Sequence, residues 1–141
     1  MSSSVPFRFP RILACVLSFA AVLLVGAEAY ANSCGVLPFA PGRGVNEGAA
    51  SNITSLISSE VDIRGGFGLV LTAGDDEVEK GCSKKSSCVF GFGKENGYER
   101  VVSGKVENAG SGEYRVSATL WDVERGSEIR EVEAVMQRSA D

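Results

Sequence analysis

The sequence contains no histidine. That excludes a Ser–His or Cys–His nucleophile pair and every histidine-ligated metal site. It has no basic excess either: 14 Lys and Arg stand against 18 Asp and Glu, for a net charge of −4. A protein held to nucleic acid by a basic face is therefore not expected. The longest uncharged run, Ile12–Ala27, falls short of the roughly 20 apolar residues a helix needs to cross a bilayer. No CxxC spacing occurs, so neither a thioredoxin-type redox motif nor a zinc knuckle is indicated.

What is present begins with an export signal. Arg8 and Arg11 precede the apolar run, and Ala29-Tyr30-Ala31 follows it as a small-x-small site. This is the three-part layout of a secretory signal peptide. It places cleavage after Ala31 and leaves residues 32–141 as a single domain, periplasmic or secreted. Uncleaved, the run would serve as an amino-terminal anchor. Loss of the signal removes two arginines and one glutamate, so the remainder stays acidic. Cys34 follows Ala31-Asn32-Ser33, small residues of the kind that precede a lipidated bacterial cysteine. Lipidation there would hold the domain on a membrane surface.

Cys15 departs with the signal, and three cysteines remain. Cys82 and Cys88, close together in GCSKKSSC, are expected to form a disulfide in an oxidising compartment. Cys34 is then the odd thiol: lipidated, free or paired between molecules.

Gly35–Phe39 reads as a buried strand stopped by Pro38 and Pro41. Ala40–Asn46 is a glycine-containing loop, and Asn46 can cap a helix beginning at Glu47. Ala49 or Ala50, Ile53, Leu56, Ile57 and Val61 recur at three- and four-residue steps as one apolar stripe, ended by Arg64-Gly65-Gly66. Phe67–Thr72 is a second strand, apolar nearly throughout, and Ala73–Gly81 an exposed helical turn. Ser87 can cap a second helix over Cys88–Asn96, although Gly91 and Gly93 weaken it. Tyr98–Glu107, Glu113–Val123 and Ile129–Gln137 alternate apolar and polar residues, with turn clusters between them. The expected fold is α/β with a mixed sheet: a β-α-β start, its two strands parallel, then a three-stranded antiparallel meander.

The constellations that carry chemistry elsewhere fail here. Gly42 and Gly44 open a GxGxxG pattern, but Glu47 stands where the third glycine is due; Gly91-Phe92-Gly93-Lys94 is followed by Glu95. Asp75, Asp76, Glu77 and Glu79 lack the mid-loop glycine of a calcium loop. Ser103 and Thr119 sit in strands with no visible base. No enzyme activity, cofactor or metal is expected. Trp121, Tyr114 and Tyr98 are the candidate partner surface, since exposed aromatics often mark one.

Several segments together resemble a known family. These are Val36-Leu37-Pro38-Phe39, the cysteine pair, Tyr98–Val106 (YERVVSGKV), Tyr114–Asp122 (YRVSATLWD) and Gly126. The arrangement is similar to envelope domains typified by the TolB amino-terminal domain and the CsgG curli-export lipoprotein, across most of residues 35–127. The loop between Thr72 and Cys82 is shorter than that pattern. The resemblance implies an adaptor or assembly subunit of the periplasm or outer membrane, with a protein partner and no catalytic residues. The alternatives are a small-ligand-binding protein using the crevice at the carboxyl ends of the first two strands, and a lipid-anchored outer-membrane accessory subunit.

Overall fold

The computed structural model describes residues 33–74 and 77–138. The signal segment with its cleavage site after Ala31, and Asp75 and Asp76, lie outside the described residues. The elements are β1 (Ser33–Val36), β2 (Ala40–Pro41), α1 (Glu47–Arg64), β3 (Leu69–Thr72), a 3-10 turn (Cys82–Lys84), α2 (Ser86–Asn96), β4 (Arg100–Gly110), β5 (Glu113–Asp122) and β6 (Ser127–Gln137). One mixed sheet runs β3-β1-β4-β5-β6. β1 is parallel to both β3 and β4, and β4-β5-β6 is the antiparallel meander.

The first strand is shorter and earlier than its apolar run suggests. Pro38 has no N–H to give, so pairing along β4 breaks after Leu37, whose N–H reaches Val102 O at 2.9 Å. It resumes at β2, which pairs with Lys105 and Val106. The interruption is repaired from α1. Thr54 Oγ1 accepts the Phe39 N–H at 2.9 Å and donates to Ala50 O at 2.9 Å.

α1 starts where the sequence places it: Asn46 Oδ1 accepts the Ala49 N–H at 2.7 Å, a side-chain cap on an otherwise orphaned donor. Its buried face carries Ala50, Ile53, Ile57 and Val61. They pack on Cys34, Val36, Val102, Val106, Val116, Ala118 and Leu120. Each large side chain contributes about 1.5–3 kcal/mol by leaving water. Leu56, expected in the stripe, stands 44% exposed at its margin.

α2 covers one end of the opposite face, over Leu37, Val101 and Val123. It begins at Ser86, so Ser87 lies inside the first turn and caps nothing; Lys85 precedes the helix without a side-chain cap. The 3-10 turn leads directly into it, with Lys85 O accepting from both Cys88 and Val89 at 3.0 Å. Ala73–Gly81 is a turn instead of a helix among its described residues: Glu77 N–H donates to Gly74 O at 3.0 Å, and Glu77 Oε2 accepts the Gly74 N–H at 2.8 Å.

Gly93 is not a defect in α2. A Cβ there would lie 2.6 Å from Val123 Cγ2, so the helix reaches the sheet only because that carbon is missing. A Cβ at Gly91 meets nothing within 4 Å. Gly93→Ala is therefore expected to cost about 1–3 kcal/mol through overpacking, while Gly91→Ala gains up to about 1 kcal/mol of helix propensity. Urea unfolding of the two variants measures the contrast.

Candidate functional site

The sheet sorts the three candidate aromatics to different places. Tyr114 lies on the α1 face against the main core, with the Arg138 guanidinium 4.9 Å above its ring. Trp121 lies on the opposite face beside α2, its ring edge-on to Phe90 at 5.3 Å between centroids. Its indole N–H is used internally, donating to Ser103 Oγ at 2.8 Å. A single surface built from Trp121, Tyr114 and Tyr98 therefore does not form. Alternation along β5 puts Tyr114 and Trp121 on opposite faces, and the strand pattern already implied as much. Trp121 does border a shallow depression of about 490 Å³ whose rims carry Lys84 and Lys105, and Glu128 and Glu131.

Tyr98 belongs to a different feature. Its ring lies 2.5 Å from where a Cβ on Gly35 would stand, beside Phe92 at 5.4 Å between centroids. Gly35 pairs with Leu71 of β3. Paired residues share a face, so Leu71 and, two residues back, Leu69 continue the apolar surface begun by Tyr98 and Phe92. Leu69 is 49% exposed and Leu71 47% exposed. Burial, then the negative charge of Glu77, holds the Tyr98 phenol above its ordinary range. This patch of Leu69, Leu71, Phe92 and Tyr98 adjoins an edge of the sheet, because β3 is the terminal strand among the described residues. Sequence reasoning took the FGLVLT run as an ordinary apolar strand. Nothing local distinguishes a covered strand from an edge one, since that is decided by what pairs beyond it.

Cys34 is a core residue with no exposed surface, packed with Val36, Ile57 and Val102. In this arrangement a diacylglyceryl group on the Cys34 sulfur would have to displace α1 or unzip β1 from β3 and β4. Pairing between molecules fails for the same reason. Burial pushes the thiol up to about 12, against a weaker opposing pull from Arg100. Cys82 and Cys88 are joined in a disulfide that ties the 3-10 turn to α2. A loop this short restricts the unfolded chain by roughly 2 kcal/mol. Within it, Ser83 Oγ donates to Pro38 O at 2.8 Å. Lys85 is engaged with Glu79 at 2.8 Å.

The crevice beyond the carboxyl ends of β1 and β3 exists as a cavity of about 180 Å³, lined by Pro38, Phe39, Ala50, Thr54, Val78 and Cys82 among others. Lys80 and Glu47 form an ion pair at 3.5 Å between two of its walls. Among the described residues, no group of acids and cysteines is arranged to hold a metal ion, and no helix is long and apolar enough to cross a membrane.

The Cys34 geometry has a measurable consequence. Below pH 9, its ordinary value, the thiol is neutral folded or unfolded. Between pH 9 and 12 it ionises only in the unfolded chain, so stability falls by about 1.4 kcal/mol per pH unit from this group. Cys34→Ala is expected to remove that share of the alkaline slope. Iodoacetamide should label Cys34 only after unfolding, which peptide mass spectrometry reads directly.

The fold recurs in solved structures. The LpoB carboxy-terminal domain from Escherichia coli superposes with a TM-score of 0.66 at 13% identity, covering 89% of this chain and 98% of that one. A PelC dodecamer subunit from Paraburkholderia phytofirmans gives 0.58 at 18% identity, with 79% and 75% covered. The lipoprotein GNA1162 from Neisseria meningitidis gives 0.58 at 13% identity, with 77% and 81% covered. No curated protein matches the chain in sequence. The TolB amino-terminal domain family matches residues 21–129. With the family's sequence pattern extending over most of its length, and a mixed sheet packed between two helices, the chain belongs to the TolB amino-terminal domain family.

Proposed function

We propose that the protein is an exported, non-enzymatic interaction module of the cell envelope, docking a protein partner on the apolar patch at the β3 edge. The carrying observation is that Leu69 and Leu71 stand half exposed beside Tyr98 and Phe92. Family membership supports the envelope, as does the fold shared with a lipoprotein, and the fold shared with a dodecamer subunit supports a role by contact. The layout of Arg8, Arg11, the apolar run and Ala29-Tyr30-Ala31 supports export. An uncharged apolar surface rimmed by polar residues is the usual signature of a protein contact. Docking needs no catalytic group.

Affinity capture from envelope extract, with chemical cross-linking, tests this reading. Leu69→Asp is expected to abolish capture of the partner while leaving the circular dichroism spectrum and melting temperature unchanged. Val135→Asp, at an exposed apolar position on β6, is expected to leave capture intact. Equal capture by both variants would contradict the assignment of the patch.

The cavity at the carboxyl ends of β1 and β3 favours a second reading, small-ligand binding, because open α/β sheets place ligands there. On that reading a small apolar compound raises the melting temperature, and Ser51→Leu, which intrudes on the cavity, removes the rise. A metabolite panel that shifts neither protein's melting would discard it.

A further inference from the structure

The geometry points to a second copy of this chain as the occupant of the β3 edge, the two β3 strands pairing antiparallel across a two-fold axis at Leu71. This rests on the docking reading above and names what sits beside the patch. Ala73 N–H donates to Val36 O at 2.9 Å. Main-chain groups alternate along a strand, so Leu69 and Leu71 also turn theirs towards β1. Val70 and Thr72 turn theirs to the open edge. Antiparallel pairing centred on Leu71 sets Val70 opposite Thr72 of the partner subunit, and the reverse, as two hydrogen-bonded pairs. All four outward N–H and C=O groups are then satisfied at once, and Leu71 meets the partner's Leu71 as the closely spaced, non-bonded pair between them.

The charge contrast between the two sheet edges favours self-pairing at β3 over pairing at β6. β6, the other edge of the sheet, carries Glu128, Arg130, Glu131 and Glu133. Charged side chains of this kind guard an edge against pairing. β3 carries none, so two copies meet there without like-charge repulsion. The flank of α1 above this edge is marked by the contact between Ser58 and Thr72. Ser51, Ser55, Ser58 and Asp62 follow one another at three- and four-residue steps along that flank. The two-fold turns the helices antiparallel, which sets Asp62 of each copy level with Ser58 of the other. A closed two-fold contact is the commonest assembly for a soluble chain. It also sets the Leu69, Leu71, Tyr98 and Phe92 patches of both copies side by side on one face, doubling the surface offered to a partner.

Light scattering over a dilution series, on protein expressed from the complete sequence, tests the proposal. The expected result is a dimer that becomes a monomer in Leu71→Lys and in Leu71→Glu, with an unchanged circular dichroism spectrum, and reforms when those two variants are mixed. Opposed Leu71 residues have Cα atoms about 4.5 Å apart, within disulfide reach. Leu71→Cys should therefore cross-link to itself under copper phenanthroline, while Leu69→Cys should not. A wild type that is monomeric throughout, a dimer indifferent to Leu71→Lys, a larger ring, or equal cross-linking at both positions would overturn it. The docking reading fails separately. A monomeric wild type that captures an envelope protein through Leu69 sinks the second copy alone, and a dimer that captures nothing sinks the docking reading alone.

Discussion

The fold depends on one short strand that is buried on both sides. In β1, Cys34 and Val36 lie under α1, and the strand runs on into Leu37, which belongs to the cluster under α2. All three have no exposed surface. Such a strand tolerates no charge, and it draws its neighbours into parallel pairing through helical crossovers. The opposite cover is only an eleven-residue helix, and it is secured at its start by covalent and polar ties. The Cys82–Cys88 disulfide fixes the preceding turn, and Ser83 Oγ bonds Pro38 O across the break between β1 and β2.

That short second cover decides where the sheet stays open. α2 reaches Val101 and Val123 but leaves the far part of the meander to Lys105, Glu128 and Glu131, a surface content in water. On the other side of β1 the sheet ends at four uncharged residues. The two edges thus differ in kind. Removing an apolar strand from water is favourable wherever a partner supplies the missing hydrogen bonds, whereas a strand of alternating glutamates resists it. This asymmetry is what the proposed function by contact rests on. The buried Cys34 thiol is held protonated by its surroundings.

The architecture was legible where periodicity and caps agree. Asn46, the stripe through Ile53, Ile57 and Val61, and the alternation in β4, β5 and β6 each specified an element with its approximate bounds. The fate of Cys34 was not legible, because a cysteine after small residues looks the same whether it begins a mature chain or fills a core. Gly91 and Gly93 read alike as helix-weakening, yet only one touches the sheet. The candidate site was half legible. Tyr98 lies half-buried beside the β3 leucines, whereas Trp121 satisfies its N–H on Ser103 and Tyr114 faces the other way. The leucines of β3 went unnoticed because exposure at an edge is set by strand order, a long-range property that no local pattern encodes.

The most direct measurement is residue-resolved amide hydrogen exchange along β3 as protein concentration rises. An edge built to be paired predicts slow exchange at Leu71 and Ala73 at every concentration, and protection of Val70 and Thr72 that grows with concentration. Fast exchange at Val70 and Thr72 in concentrated protein, with their neighbours still protected, would contradict it.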